Sequence, residues 1–94
     1  MRYKKLNHDG NIITNNREIE RILSHEKFYW LIDSEFENAD IEIKNNTIIW
    51  NDGEYFTGNW HFGIFKGGTF HGTFTNGIFE DGEFKGEWLS GIKQ

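Results

Sequence analysis

The chain has 94 residues, with ten Lys and Arg against fifteen Asp and Glu and a formal charge of −5. That length allows one small domain with a modest core, and that charge argues against a general nucleic-acid binder, which needs a positive field. The absence of cysteine excludes disulfides and thiolate metal sites and suits a reducing compartment.

There is no proline, and eleven glycines and nine phenylalanines stand against one methionine, so rings rather than a Leu/Val/Met core carry the apolar content. The charged start Met1–Leu6 is not followed by an apolar leader segment, and the longest apolar run, Phe28–Ile32, is too short to span a bilayer. A cytoplasmic location is the expectation, in the host cytoplasm if the chain is encoded by a phage.

In chain order, Tyr3–Leu6 and Asn11–Thr14 read as two strands joined at Asn7-His8-Asp9-Gly10, because Asp-Gly is strong turn chemistry. Asn15 and Glu18 form a capping pair that opens a helix over about 16–27, with Ile19, Ile22 and Leu23 on one face. "FYWLID" at 28–33 is apolar on both parities and reads either as a strand covered on both sides or as more helix. "ADIEIKNNTIIW" at 39–50 alternates around Asn45-Asn46, the pattern of a hairpin.

From residue 51 the texture changes. Tyr55, Trp60, Phe65, Phe70, Phe74, Phe79, Phe84 and Trp88 each have a glycine two positions earlier, and from Phe56 the sequence repeats every 14 residues. In a strand, positions two apart share a face, so each ring sits beside a bare glycine and neighbouring rings can lie across the gap. Thr75-Asn76-Gly77 and Asp81-Gly82 are turn chemistry, which makes one hairpin per unit and a meander overall. Eight rings at roughly 150 Å² each present about 1,200 Å², whereas a soluble monomer exposes apolar patches of roughly 300–600 Å² at most. A helix of about 12 residues, roughly 18 Å long, roofs only part of such a face. The rings therefore turn inward in a closed coil, or the "FYWLID" region, a second subunit or a partner covers them.

The segments "YFTGNWHFG", "FHGTFTNG" and "FKGEWLSG" resemble the aromatic-x-Gly-x-Trp core of MORN repeats. The likeness covers Phe56, Gly58, Trp60 and Gly63, then Phe70, Gly72, Phe74 and Gly77, then Phe84, Gly86, Trp88 and Gly91; the 14-residue period is shorter than a MORN unit. The resemblance implies an elongated antiparallel ribbon of hairpins, with roles in protein–protein contact and membrane-proximal scaffolding. Glycine two positions before a ring, stepping by five, also looks like a pentapeptide-repeat solenoid, some members of which are acidic mimics of DNA. The texture is similar, too, to small accessory proteins of tailed phages.

Reactive constellations are sparse. His8, His25, His61 and His71 lack the local spacing of a zinc site and read as solvated or packed histidines. Asp33, Glu35 and Glu37 alternate along one stretch, and Glu80, Asp81 and Glu83 cluster at a turn, but neither set adjoins a nucleophile, and both read as solvated edges that discourage aggregation. "GIFKGG" at 63–68 lacks phosphate-loop spacing and reads as a turn. Lys66, Lys85 and Lys93 among the rings are too few to hold single-stranded nucleic acid against the opposing charge.

The expectation is a mainly β, α+β domain: residues 1–50 form a cap with one helix, and residues 51–94 form an antiparallel meander of glycine/aromatic units, with a right-handed β-solenoid as the alternative. No catalytic, cofactor or metal site is expected. The expected function is non-enzymatic protein binding or assembly through uncovered rings at Trp50, Tyr55, Trp60 and Trp88, with a second copy of the chain as the first candidate partner. The alternative is a small phage-type inhibitor of a host enzyme or defence system, acting through acidic mimicry of DNA at Asp33, Glu35 and Glu37.

Overall fold

The computed structural model describes residues 1–94. The chain is mainly β, with its helical residues confined to the N-terminal half. That half follows the sequence pattern closely. Strands β1 (Tyr3–His8) and β2 (Asn11–Ile13) form an antiparallel hairpin whose turn holds Asp9 and Gly10 at φ 49° and 95°. Helix α1 (Asn16–His25) starts where Asn15 accepts a hydrogen bond from the Glu18 amide at 2.9 Å, and it buries Ile19 and Leu23. It ends at Glu26; Lys27 turns left-handed at φ 65° and the chain enters α2 (Tyr29–Ile32), a single helical turn made from the apolar run. Strands β3 (Glu35–Lys44) and β4 (Thr47–Thr57) pair across Asn45-Asn46, both at positive φ as a two-residue hairpin loop requires. β1 runs parallel to β3, with Leu6 opposite Ile41.

The repeat region is a three-sided coil of about three turns. Eight two-residue strands follow: β5 (Asn59–Trp60), β6 (Ile64–Phe65), β7 (Thr69–Phe70), β8 (Thr73–Phe74), β9 (Ile78–Phe79), β10 (Glu83–Phe84), β11 (Glu87–Trp88) and β12 (Ile92–Lys93). One side stacks the start of β4, then β6, β9 and β12; the second stacks the end of β4, then β7 and β10; the third stacks β5, β8 and β11. Every one of these pairings is parallel, so the solenoid alternative holds and the antiparallel meander does not. The physical reason is that the corner glycines turn the chain only far enough to start the next side, and each short strand finds its partner one full turn earlier. The MORN-like expectation of an elongated antiparallel ribbon of hairpins gives way with it.

All eight repeat rings point into the coil, where with Trp50 they form three columns. Trp50, Phe65 and Phe79 stack at 5.6 and 5.1 Å; Tyr55, Phe70 and Phe84 at 4.8 and 5.4 Å; Trp60, Phe74 and Trp88 at 6.1 and 4.7 Å, all within 11° of parallel. Between columns the rings meet edge to face, as Trp50 and Tyr55 do at 77° and Phe65 and Phe70 at 86°. The rings cover one another, and of the nine only Phe84 and Trp88, in the last turn, are half-buried rather than buried.

The N-terminal half closes one end of this column. Trp30 of α2 sits edge-on against Trp60 at 4.9 Å, and Phe36 of β3 edge-on against Trp50 at 5.4 Å. Arg2 lies 4.0 Å over the Phe36 ring and donates to the backbone oxygens of Ser34 and Ile32, which ties β1 to α2. β4 itself spans the boundary expected at residue 50: it bends at Gly53 and serves two sides of the coil, so cap and repeats share a strand.

Glycine is required at the corners because successive turns touch there. A Cβ at Gly77, which has φ 115°, would lie 2.6 Å from the carbonyl oxygen of Gly63 one turn below and 3.1 Å from Nε1 of Trp60. Gly10 also has a positive φ, 95°, yet a Cβ there meets nothing within 4 Å. Gly10→Ala is therefore expected to cost only the left-handed backbone strain, about 1–2 kcal/mol, and Gly77→Ala to cost at least about 2 kcal/mol more, because backbone must move. Denaturant unfolding of the two variants measures the difference; equal losses contradict the stacked corner.

Candidate functional site

Three surfaces stand out on the outside of the coil. The first is aromatic and lies where α2 meets the first turn. Phe62, on the corner before β6, packs against Phe28 at 5.7 Å and Trp30 at 5.6 Å, and His61 lies 5.9 Å from Trp30. Phe62 remains 42 % exposed above the buried Phe28, and Tyr29, next to both Phe28 and Trp30 in the chain, is 54 % exposed.

The second surface is acidic. Glu37, Glu54, Thr69 and Glu83 occupy successive places in register across the second side of the coil. Beside them a cleft of about 520 Å³ is lined by Lys4, Glu37, Asn38, Asp52, Glu54 and Thr69, with Gly53 and Gly68, and no hydrophobic side chain. Lys85 donates to Glu83 at 2.7 Å and holds its carboxyl below the ordinary range. The third surface is the last turn, where Leu89 and Ile92 are exposed and Phe84 and Trp88 half-buried.

The residues expected to meet a partner divide clearly. Trp50, Tyr55 and Trp60 are completely buried and form the interior of the coil, so they present no surface; a ring beside a glycine serves its own column first. Trp88 alone of the four keeps partial exposure. Glu35 and Glu37 lie on β3, Glu35 accepting from Thr57 Oγ1 at 2.9 Å and Glu37 facing the Met1 amino group at 3.1 Å, whereas exposed Asp33 ends α2 and is not part of that strand. The histidines are dispersed: His8 contacts Glu26 at 3.1 Å, His25 closes α1, His61 joins the aromatic cluster and His71 lies 6.2 Å from Phe56. No group of three or more His, Asp or Glu side chains comes together to hold a metal ion. Residues 63–68 form β6 and a corner. No helix is long and apolar enough to cross a membrane.

Sequence reasoning does not single out Ser34, yet it is the polar pivot of the structure. It is 2 % exposed, donates to the Trp30 carbonyl oxygen at 2.7 Å, and lies 2.5 Å from the Tyr55 hydroxyl. With its one proton committed to Trp30, Ser34 accepts from Tyr55, which fixes α2 to the ring columns. A small polar residue just after an apolar run is the only hint the sequence offers.

Neither a family model, a curated protein nor a solved structure matches this chain.

Burial pushes the Tyr55 hydroxyl up from 10.0 to about 12, and Ser34, which can turn to donate to a phenolate, offsets part of that rise. The folded state thus holds this proton more tightly than the unfolded chain. Its contribution is complete below pH 10.0 and is lost as pH rises to about 12, at about 1.4 kcal/mol per pH unit. Burial raises Tyr3 as well, helped by its hydrogen bond to Glu20, so the two act together. Stability measured across that alkaline window is expected to fall steadily, and Tyr55→Phe to roughly halve the slope. An unchanged slope in Tyr55→Phe contradicts the buried pair.

Proposed function

We propose that the chain is a non-enzymatic protein-binding module whose partner docks on the aromatic cluster around Tyr29, Trp30 and Phe62. The observation that carries this reading is that Phe62, 42 % exposed, rests on two further rings, Phe28 and Trp30, on the outside of the coil, whereas most rings of the protein are buried. Phe62 is held by Phe28 and Trp30 beneath it, so it is an anchor already in place, with little side-chain freedom to lose on binding. The net charge of −5 favours encounter with a basic surface.

A second reading, an acidic inhibitor of an enzyme that handles DNA, is supported by the in-register carboxylates Glu37, Glu54 and Glu83. One pair of variants separates the two. With a purified partner and calorimetric titration, Tyr29→Ser with Phe62→Ser is expected to weaken binding at least about tenfold, or about 1.4 kcal/mol. Charge reversal at Glu37, Glu54 and Glu83 is expected to leave affinity within about threefold, since rim charges act mainly on the association rate. The opposite pattern selects the acidic inhibitor.

A further inference from the structure

The first ring column reads Trp50, Phe65, Phe79 and then Lys93. The backbone continues as before: the Ile92 amide donates to Gly77 O at 2.8 Å and the Gln94 amide to Phe79 O at 2.8 Å. Only the side chain departs from the pattern, with an ammonium group in a place that every earlier turn fills with a ring. Lys93 Nζ lies 5.1 Å from the centre of the Phe84 ring, so the charge is drawn across the top of the columns, and it makes no ion pair.

We propose that Lys93 guards this end of the coil, keeping it closed to a second copy of the same chain. The end is otherwise well shaped for one. Strands β10, β11 and β12 leave an open edge on each of the three sides, and they climb in that order around the coil. Let a second copy meet it end to end about a twofold axis through β11. The strands then run antiparallel across the junction. β11 meets its own copy, and β10 meets the copy's β12. The spacing is the same on all sides, because each pairing joins middle to middle or lowest to highest. Trp88 would stack on its counterpart, and the half-exposed Phe84 and exposed Leu89 and Ile92 would be covered. The opposite end is already occupied by α2 and β3, so such association stops at two copies rather than forming a fibre.

What opposes the junction is Lys93. Closing it would move two ammonium groups, exposed and without an ion pair in the single chain, among the rings of the last turn, and an unpaired buried charge is among the strongest penalties in protein association. An inward-pointing charge on a terminal strand is a known way of blunting sheet edges. The same charge would meet any further coil placed on top of β12. This end lies across the coil from the aromatic cluster of Phe28, Trp30 and Phe62 on the first turn.

The test is solution mass by sedimentation across a concentration series. Wild type and Lys93→Arg are expected to show no association through this end. Lys93→Phe and Lys93→Leu are expected to double the mass, with a dissociation constant at least about tenfold lower. Trp88→Lys added to Lys93→Phe should undo the doubling. Circular dichroism confirms that each variant is folded. The proposal is overturned if folded Lys93→Phe and Lys93→Leu gain no mass, if Lys93→Arg associates as they do, or if wild type already forms a dimer that Trp88→Lys dissolves. A wild-type dimer indifferent to Trp88→Lys uses another surface, and the same comparison is then read as a doubling of that dimer's mass.

Discussion

Backbone touches backbone at the corners of the coil, and every other feature depends on that contact. Gly63, Gly77 and Gly91 lie one above another, each with the next glycine's backbone against its carbonyl, and Gly58, Gly72 and Gly86 form a second column of the same kind. With no Cβ at these points, successive turns approach to strand spacing, about 4.8 Å. That spacing is also a good distance for offset ring stacking. The corner glycine and the inward ring are therefore two halves of one device. The first sets the pitch, and the second fills the space the pitch leaves. Two-residue strands contribute few ladder hydrogen bonds, so the six stacked pairs, at about 0.5–1.5 kcal/mol each beyond their burial, weigh heavily in holding the coil together.

A solid interior has a consequence for recognition. Side chains that fill the coil cannot also contact a partner, so binding must use outward positions, which alternate with the rings along each side. Those positions differ sharply from turn to turn: Phe56, His71 and Lys85 share one place, and His61, Thr75 and Leu89 another. The interior repeats while the exterior varies from one turn to the next. Three indole N–H groups, those of Trp30, Trp50 and Trp60, are buried without a hydrogen-bond acceptor. They lie among the edges and faces of other rings, where a weak N–H to ring contact is all that is available.

Much of this was legible in the sequence. The Asn15 cap, the hairpin around Asn45-Asn46 and the 14-residue period all appear where their local chemistry places them, because each depends on residues close in sequence. The common direction of the rings was legible too. The choice between meander and coil was not, since alternation along a strand is the same in parallel and antiparallel pairing, and a glycine at positive φ serves a hairpin and a corner alike. What separates them is which strand lies alongside, a long-range matter. The best local clue lies in the four-residue steps between rings, from Phe70 to Phe74 and from Phe84 to Trp88, which are short for a strand, a reversal and a second strand. The interaction surface was harder still. Tyr29 and Phe62 are far apart in the chain, and only the docking of α2 on the first turn brings that region together. The carboxylates of β3 are visible as a set in the sequence, but their alignment with Glu54 and Glu83 follows from pairing that the sequence does not display.

The most direct measurement is the pattern of long-range amide contacts in solution by nuclear magnetic resonance. The coil predicts contacts between residues one turn apart in parallel register: Ile64 with Ile78, Thr69 with Glu83, and Asn59 with Thr73. A hairpin array predicts instead contacts that mirror about each corner, linking Phe70 to Phe74 or Phe74 to Phe79 along antiparallel backbone. Finding the mirrored set in place of the one-turn set would contradict the coil, the buried columns and the surfaces assigned to its exterior.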